Sequence, residues 1–400
     1  MIRRVDPVGV VGAGTMGAGI AQLALEAGHP VWIHDVDAAA IERGRMRIRS
    51  GLERRAARLD LDPDSATTWV DERLARFHEA PTLDDLVAAG PDLVIEAALE
   101  DLEAKQAIFR ALDATTPTTA ILGTNTSALS VRAIAARTRH PERVLGLHFF
   151  NPAPVMPLVE VVATAAADGS VLDRATVLMT AWGKVPVRCR DTPGFIVNRV
   201  NRPFTLEALD MLDRGNASVE GIDAAMRADG YPMGPFELMD FVGLDINLAA
   251  ARGLFAGSVA AGDPVAERFR PSPTQERLVA IGRLGRKTDA GFYVYDEGGR
   301  RTGPAAGFER PSGEDERLEG DAIAVQICLA IVNEAYRAAG DGVATPADID
   351  LAMRLGANHP SGPFERAKSL GGAFAVLSAL RAGLFRGPRF DPAPSLLAAH

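Results

Sequence analysis

The sequence predicts an α/β protein: a doubly wound parallel sheet in the amino-terminal half, followed by two similar all-α domains in tandem. Three observations lead to this prediction. Short apolar runs alternate with helical stretches as far as Asp191, helical periodicity dominates after it, and the helical part repeats itself. Strands that alternate with helices are typical of a parallel sheet covered on both faces.

The first elements form a βαβ opening. An apolar strand at residues 8–11 is followed by a helix from Gly14 to about Ala27 and by a second strand at residues 31–35. A long helical stretch rich in Ala, Arg and Glu covers residues 38–58. Further strands are predicted at residues 91–96, 119–124, 144–148, 158–162 and 185–189, with a closing helix at 168–182.

The helical part contains an internal repeat. Three short segments recur in the same order at an offset of 127 or 128 residues, which indicates two units of similar fold. We therefore predict a nucleotide-binding domain at residues 1–191, a first helical domain at 192–296, a linker at 297–318 and a second helical repeat at 319–400. The matching segments are Glu207-Ala208 with Glu334-Ala335, Ile222–Met226 with Ile349–Met353, and Gly234–Glu237 with Gly362–Glu365.

Composition limits the class of protein. Of the 400 residues, 47 % are hydrophobic and 24 % are charged, as in soluble globular proteins. The net charge of −9 argues against bulk nucleic-acid binding, and no uninterrupted apolar run has the length of a membrane helix. Only Cys189 and Cys328 occur, so a disulfide framework or a cysteine-rich metal site is excluded. We expect a cytoplasmic protein with no metal and with no nucleic-acid or membrane partner.

A glycine motif follows the first strand. Gly12 makes a tight turn, Gly14 lets a pyrophosphate approach the backbone, and Gly17 lets the helix pack against the strand. Asp35 ends the second strand, where a carboxylate accepts from ribose hydroxyls and repels a 2′-phosphate. The pattern predicts a Rossmann-type domain that binds NAD, although Asp35 could instead be a helix N-cap. The whole motif reads Gly12-Ala13-Gly14-Thr15-Met16-Gly17.

A histidine at a strand end is the candidate base. His148 opens the segment His148-Phe149-Phe150-Asn151-Pro152, and Glu160 follows twelve residues after the histidine. Imidazole suits proton transfer near neutral pH, and a carboxylate on its other ring nitrogen orients it. The alternative for His148 is a buried structural histidine.

These segments resemble the L-3-hydroxyacyl-CoA dehydrogenase family. The resemblance covers residues 1 to about 296, and the second helical copy resembles a duplicated C-terminal domain. The segments that carry it are Val94–Glu100, Thr124–Ser127, Gly146–Pro152, Asp191–Arg199 and Tyr231–Glu237.

The resemblance implies the oxidation of a (3S)-3-hydroxyacyl-CoA to the 3-ketoacyl-CoA with NAD. His148 would be the general base and Glu160 its orienter, while Ser127 and Asn198 would position the substrate. Ser127 could also be a helix N-cap. Glu100 and Lys105, which match cofactor contacts of the family, could instead form a surface ion pair. By resemblance, the residues that touch the cofactor are Glu100, Lys105, Asn151 and Lys287.

The sequence departs from the family at the expected CoA contacts. The family often offers a serine and a lysine there, and a gap-free alignment places Arg55 and Asp62 instead. Seven arginines and one acid, Glu53, lie between Arg43 and Arg58. They form either a solvated helical face or a seat for phosphates. Our hypothesis is that Arg54, Arg55 and Arg58 bind the CoA phosphates through bidentate, charge-assisted hydrogen bonds.

The second helical copy lacks the matching chemistry. At the 127-residue offset Val325 takes the place of Asn198, and no counterpart of Lys287 follows. We predict that the copy is a packing element. Helical domains pair in dimers of the family, so we expect either a homodimer or a monomer with an intramolecular pseudo-dimer of helical domains.

Two other functions remain open at this stage. One is an NAD-dependent dehydrogenase of a free hydroxy acid or sugar acid, which would need an arginine that clamps a carboxylate. The Phe149-Phe150 pair favours the thioester instead. The other is a non-catalytic NAD-binding structural protein, against which the intact His148 and Glu160 argue.

Overall fold

The chain separates into two compact units, Met1–Thr192 (unit 1) and Pro193–His400 (unit 2). The computed structural model describes residues 6–308, 318, 320–382 and 387–398. Parts of the predicted first domain, linker and second repeat therefore lie outside the described residues, namely 1–5, 309–317, 319, 383–386 and 399–400.

Unit 1 is a sheet of eight strands in the order β3-β2-β1-β4-β5-β6-β7-β8. All neighbouring strands are parallel except β6 and β7, which are antiparallel. This confirms the predicted Rossmann-type sheet. Its elements are β1 (Val8–Val11), α1 (Thr15–Glu26), β2 (Val31–His34), α2 (Ala38–Arg58), α3 (Pro63–Leu74), β3 (Phe77–Glu79), α4 (Leu83–Ala88), β4 (Leu93–Glu96), α5 (Leu102–Thr115), β5 (Ile121–Thr124), α6 (Val131–Ala135), β6 (Val144–Phe149), β7 (Leu158–Ala163), α7 (Gly169–Ala181) and β8 (Val185–Arg190).

Burial explains which elements the sequence predicts well. Every residue of β1, β4 and β6 is buried, so these strands are apolar except for Glu96 at the end of β4 and His148 in β6. By contrast, α3 buries only Val70, and β3 is a three-residue edge strand with no fully buried residue. The pattern of apolar residues is correspondingly weak there, and α3, β3 and α4 are not among the elements predicted from the sequence.

The described residues of unit 2 are mainly helical and include one small hairpin. The expectation that strands end after Asp191 is wrong, because β9 and β10 pair antiparallel and β10 lies inside the predicted linker. The elements are α8 (Val197–Val200), α9 (Arg202–Asp213), α10 (Val219–Ala228), α11 (Pro235–Val242), α12 (Leu244–Ala260), α13 (Pro273–Ala280), β9 (Tyr293–Tyr295), β10 (Arg301–Pro304), α14 (Asp321–Gly340), α15 (Pro346–Gly356), α16 (Pro363–Ser369), α17 (Gly372–Arg381) and α18 (Pro394–Ala398).

The two helical copies use equivalent residues in equivalent ways. Asp223 accepts hydrogen bonds from the N–H groups of Phe236 and Glu237 at the start of α11. Asp350, 127 residues later, accepts from the equivalent groups of α16, Phe364 N–H and Glu365 N–H. The repeat read from the sequence is thus also a structural repeat.

Helix α14 lies at the centre of unit 2. It packs against α8, α9, α10, α15, α16 and α18. By length and apolar composition alone α14 could cross a membrane, but 78 % of its apolar window is buried within the protein. We interpret it as a core helix of a soluble fold.

Candidate active site

The antiparallel pairing of β6 and β7 brings His148 and Glu160 together. Their backbones are directly opposite in the register, so the side chains lie on the same face of the sheet. His148 Nδ1 lies 2.6 Å from Glu160 Oε2, with 7 % of the histidine side chain and none of the glutamate side chain exposed. A carboxylate at Nδ1 orients the imidazole and stabilises its protonated form.

Asn125 links the end of β5 to the end of β6, the strand that carries His148. Its Oδ1 accepts a hydrogen bond of 2.8 Å from the N–H of Phe149, the residue after His148. Its own N–H donates to the carbonyl of Glu96 at the end of β4. Asn125 belongs to the segment Thr124–Ser127 that carries the family resemblance, and its place directly after β5 puts it at the carboxyl edge of the sheet.

A buried ion pair lies at the ends of β4 and β5. Lys105 Nζ is 2.6 Å from Glu96 Oε1 and 3.3 Å from Glu100 Oε2, and only 1 % of the lysine side chain is exposed. Glu96 also accepts from the hydroxyl of Thr124 at 2.7 Å. Lys105 is therefore a buried lysine that binds both Glu96 and Glu100 rather than part of a surface ion pair, and the contact of Lys105 and Glu100 with NAD stays a prediction.

Glu100 organises the loop that carries Ser127. It accepts hydrogen bonds from the hydroxyl of Thr126 at 2.6 Å and from the N–H groups of Ser127 and Ala128. Burial would raise the pKa of Glu100, but these hydrogen bonds and the charge of Lys105 outweigh it and lower the pKa below its usual range.

The alternative role of Ser127 as a helix N-cap is wrong. The N-cap of α6 is Ser130, whose hydroxyl accepts from Ala133 N–H.

The glycine loop leaves space at one position only. A Cβ on Gly12 would lie 2.6 Å from the carbonyl oxygen of Ala97, and the φ of Gly12 is +101°. A Cβ on Gly17 would lie 1.8 Å from the carbonyl oxygen of Gly12. A Cβ on Gly14 would meet no protein atom within 4 Å. Gly12 and Gly17 thus serve the fold, while the open space at Gly14 fits the approach of a ligand.

Asp35 closes the same loop. One carboxylate oxygen accepts from the N–H of Ala13 at 2.8 Å and the other accepts from the N–H of Asp37 at 3.0 Å. The alternative role of Asp35 as a helix N-cap is wrong, because the N-cap of α2 is Asp37. Thr15 and Met16 are the first two residues of α1, beside Gly14.

The three predicted arginines line one cavity of about 460 Å³. Arg54 donates to the hydroxyl of Ser50, and Arg55 Nε lies 3.6 Å from Glu26 Oε2. The structure therefore places these three arginines in one cavity with Thr15 and Asn151, two of the predicted cofactor contacts. The cavity is lined by Thr15, Ala18, Gly19, Gln22, Glu26, Arg47, Ser50, Gly51, Arg54, Arg55, Arg58, Asn151, Pro152, Ala153, Pro154 and Val155.

Lys184 supports the wall of this cavity and was missed by the sequence analysis. Its ammonium donates to the carbonyl oxygens of Ala153 at 2.6 Å and Met156 at 2.8 Å. Burial lowers the pKa of Lys184 to about 8. The lysine thereby ties β8 to the loop that follows Asn151, a contact between distant residues that no local pattern indicates.

The two remaining candidates belong to unit 2. Asn198 lies on α8 and is half-buried. Lys287 Nζ lies 2.6 and 2.7 Å from the two carboxylate oxygens of Asp245. The cofactor contact of Lys287 and the substrate contact of Asn198 stay predictions.

The two units match two different families of known protein domains. Residues 7–192 match the family described as 3-hydroxyacyl-CoA dehydrogenase, NAD binding domain. Residues 194–295 and 323–396 both match the family described as 3-hydroxyacyl-CoA dehydrogenase, C-terminal domain. The second helical copy is therefore similar to the same domain family as the first.

Several relatives are similar over most of their length. The chain is 36 % identical to 3-hydroxyadipyl-CoA dehydrogenase of Escherichia coli (strain K12), over 93 % of this chain and 92 % of the relative. It is 40 % identical to the mitochondrial hydroxyacyl-coenzyme A dehydrogenase of Rattus norvegicus, over 72 % of this chain and 90 % of the relative. The crystal structure of a 3-hydroxybutyryl-CoA dehydrogenase from Escherichia coli K12 superposes with a TM-score of 0.85 at 35 % identity, covering 99 % of this chain and 98 % of that one.

Proposed function

Because the chain belongs to the 3-hydroxyacyl-CoA dehydrogenase family, we propose that His148 and Glu160 are the base and orienter of that family's reaction. The protein is an NAD-dependent oxidoreductase that converts a (3S)-3-hydroxyacyl-CoA to the 3-ketoacyl-CoA. The observation that carries the assignment of residues is the 2.6 Å contact between His148 Nδ1 and the buried Glu160 carboxylate.

Oxidation of the alcohol requires a proton acceptor at the substrate oxygen. With Nδ1 bound to Glu160, the accepting atom in this proposal is His148 Nε2. Glu160 keeps the proton of the neutral ring on Nδ1 and stabilises the imidazolium that forms when Nε2 takes the hydroxyl proton. In the reverse direction the same nitrogen returns the proton to the ketone oxygen.

The glycine loop of unit 1 fits NAD. The open space at Gly14 allows a pyrophosphate to approach the N-terminus of α1, where backbone N–H groups and the helix dipole favour anions. Asp35 lies at the end of β2, where it would accept from the ribose hydroxyls. When bound, NAD supplies the acceptor for the hydride from the substrate carbon. Thr15, Met16, Glu100, Lys105, Asn151 and Lys287 complete the proposed cofactor contacts.

Two polar side chains position the substrate in this proposal. Ser127 follows β5 in a loop that Glu100 holds by two amide hydrogen bonds. Asn198 supplies an amide donor, which stabilises the charge that develops on the oxygen during reduction of the ketone. Both residues match the positions that touch substrate in the family.

The arginine cavity of unit 1 is the proposed seat for the CoA phosphates. If Arg54, Arg55 and Arg58 are all changed to Ala, we expect KM for acyl-CoA to rise about a hundredfold, because each lost charge-assisted bond weakens binding. KM for the matching acyl-pantetheine, which has no CoA phosphates, should stay unchanged. Arg45→Ala on the same helix is the control, since Arg45 faces Glu79 and does not line the cavity. An unchanged KM for acyl-CoA in the triple variant would contradict the proposal.

Turnover of acetoacetyl-CoA with NADH tests the reaction directly. His148→Ala should abolish turnover while NADH binding, measured by fluorescence, is retained. His140→Ala is the matched control, because His140 is also paired with a carboxylate, Asp113, at 3.1 Å but lies away from the carboxyl edge of the sheet. Full activity of His148→Ala would overturn the assignment. A wild-type protein that binds NADH without turnover would favour the non-catalytic alternative.

We place the protein in the cytoplasm and assign the second helical copy a packing role inside a single chain. Values of kcat/KM for C4, C8 and 3-hydroxyadipyl thioesters would rank the acyl chains that the site accepts.

A further inference from the structure

We propose that the second helical copy does more than pack: its Glu334 is a positioning residue for Asn198. The proposal rests on the assignment of Asn198 to the substrate. It concerns only unit 2, where Asn198 lies on α8 and Glu334 lies on α14.

The helix that carries Asn198 cannot stabilise itself. It has only four residues and ends at Val200, and Pro203 shortly after it lacks the N–H that would continue the helical ladder. The turn before it contains Phe195 at a φ of +48°, a conformation that bulky residues rarely adopt. So short a helix depends on tertiary contacts. In the second copy Ala330 stands at the place of Pro203, and α14 runs unbroken through that position.

Side chains of the second copy supply these contacts. Arg199, the neighbour of Asn198, donates from Nε to Glu334 at 2.7 Å and from Nη2 to Asp341 at 2.6 Å. Asn201, the residue directly after α8, has its Oδ1 2.8 Å from His359 Nε2. The C-terminal half of α8 is thus bound by residues that belong to the repeat.

The repeat contains an equivalent contact at the matching positions, which provides an internal control. At the 127-residue offset Arg199 becomes Gln326 and Glu334 becomes Glu207, and Gln326 donates to Glu207 at 2.6 Å. Each glutamate also binds one further arginine, Arg268 for Glu334 and Arg389 for Glu207. The reciprocal pairing is that of an isologous interface built within one chain.

The two equivalent contacts differ in charge, and the charged contact lies beside the proposed substrate residue. Arg199 next to Asn198 is charged and binds two carboxylates, whereas Gln326 next to Val325 is neutral and binds one. The residue at the place of Asp341 in the first copy is Arg214. The stronger anchor therefore lies beside the residue assigned to the substrate.

The test compares Glu334→Gln with Glu207→Gln. Both glutamates are buried, at 3 % and 1 % exposed, and each binds two side chains, so both variants should lower Tm, Glu334→Gln by more because Glu334 binds two arginines and Glu207 binds one. Because Glu334 acts through α8, Glu334→Gln should lower kcat about tenfold and leave KM for NAD unchanged. Glu207→Gln should keep kcat within about twofold of the wild type.

A double variant separates positioning from general loss of structure. Asn198→Ala/Glu334→Gln should be no slower than Asn198→Ala alone, because the glutamate acts through the asparagine. Additive losses, or equal losses in Glu334→Gln and Glu207→Gln, would overturn the inference. An Asn198→Ala variant with full kcat would instead refute the proposed role of Asn198.

A milder variant covers the case in which Glu334→Gln does not fold. Asp341 is 53 % exposed and binds the same guanidinium of Arg199, so Asp341→Asn should fold and lower kcat about threefold. An unchanged kcat in a folded Asp341→Asn variant would count against the inference.

Discussion

At the scale of single residues, the site depends on which nitrogen of His148 carries the proton. Glu160 is fully buried and bound to Nδ1 at 2.6 Å. An amide at position 160 can present its NH₂ group to Nδ1, which would favour the tautomer with the proton on Nε2. We expect Glu160→Gln to lower kcat about a thousandfold with little change in NADH affinity. Stopped-flow single turnovers and NADH titrations would measure the two quantities.

The matched control for Glu160→Gln is Asp113→Asn, which alters the carboxylate of the His140 pair in the same unit. It removes a histidine–carboxylate contact beside the amino end of β6, whereas His148 lies near the carboxyl end, and should leave kcat unchanged, although it also weakens the ion pair with Arg143. A Glu160→Gln variant as active as the wild type would contradict the orienting role.

The glycines of the dinucleotide loop separate cofactor binding from folding. A Cβ on Gly14 meets no protein atom, so Gly14→Ala should fold with a nearly unchanged Tm and bind NADH about tenfold more weakly. A Cβ on Gly17 would lie 1.8 Å from the carbonyl oxygen of Gly12, so Gly17→Ala should lower Tm strongly. Thermal melts with and without NADH distinguish the two outcomes.

If Gly14→Ala retained full NADH affinity, the open space beside it would not be the pyrophosphate site. If Gly17→Ala melted like the wild type, the close packing of α1 on β1 would not limit stability.

At the scale of elements, the sequence predicted those parts of unit 1 whose residues are buried. Apart from Glu96 and His148, strands β1, β4 and β6 consist of apolar residues and glycines, because both faces of the sheet are covered. Helix α4 was missed although Thr82 and Asp85 form a capping box, because it has only six residues. The antiparallel register that pairs His148 with Glu160 depends on strand β7 turning back, which no side-chain pattern encodes.

The repeat shows the same limit of prediction. A search for repeated segments aligns each residue with the equivalent residue of the other copy, so Glu207 is aligned with Glu334. The contacts across the two copies instead join unlike positions, such as Arg199 with Glu334. A further match was missed because its offset is 121 residues: Arg268-Phe269 recurs as Arg389-Phe390, and these two arginines bind Glu334 and Glu207.

One contact between the copies should make unit 2 sensitive to acid. Burial lowers the pKa of His359 to about 3, while an unfolded histidine titrates near 6.5. Between these values the unfolded state binds the extra proton, so the free energy of unfolding falls as the pH falls. The slope is at most about 1.4 kcal/mol per pH unit. Tyr231 and Asn201 contact the ring, and Asp229, Cys328 and Arg366 line the same small cavity.

The variant His359→Gln tests this dependence, because its amide can still donate to Asn201 but does not titrate. Urea unfolding at several pH values between about 4 and 7 should give a steeper slope for the wild type than for the variant. Equal slopes would show that His359 is not the group responsible.

At the scale of the whole molecule, we propose that helix α14 takes the place of a second subunit. Its Glu334 pairs with Arg199 and Arg268 of the first copy, and Arg389 of the second copy pairs with Glu207. These pairs are buried within one chain, and an isologous surface that is already covered cannot pair with another copy. We therefore expect light scattering to give the mass of one chain across a wide range of concentrations.

Thermal unfolding gives an independent measurement of the same prediction. The Tm of an obligate dimer rises with protein concentration by mass action, whereas the Tm of a monomer does not. We expect a constant Tm for this protein. Glu207→Gln weakens the internal pairing of the copies, so any exchange of copies between chains should appear first in that variant, as a dimer at high concentration. A wild-type dimer that persists on dilution would show that a surface other than this buried one joins the chains.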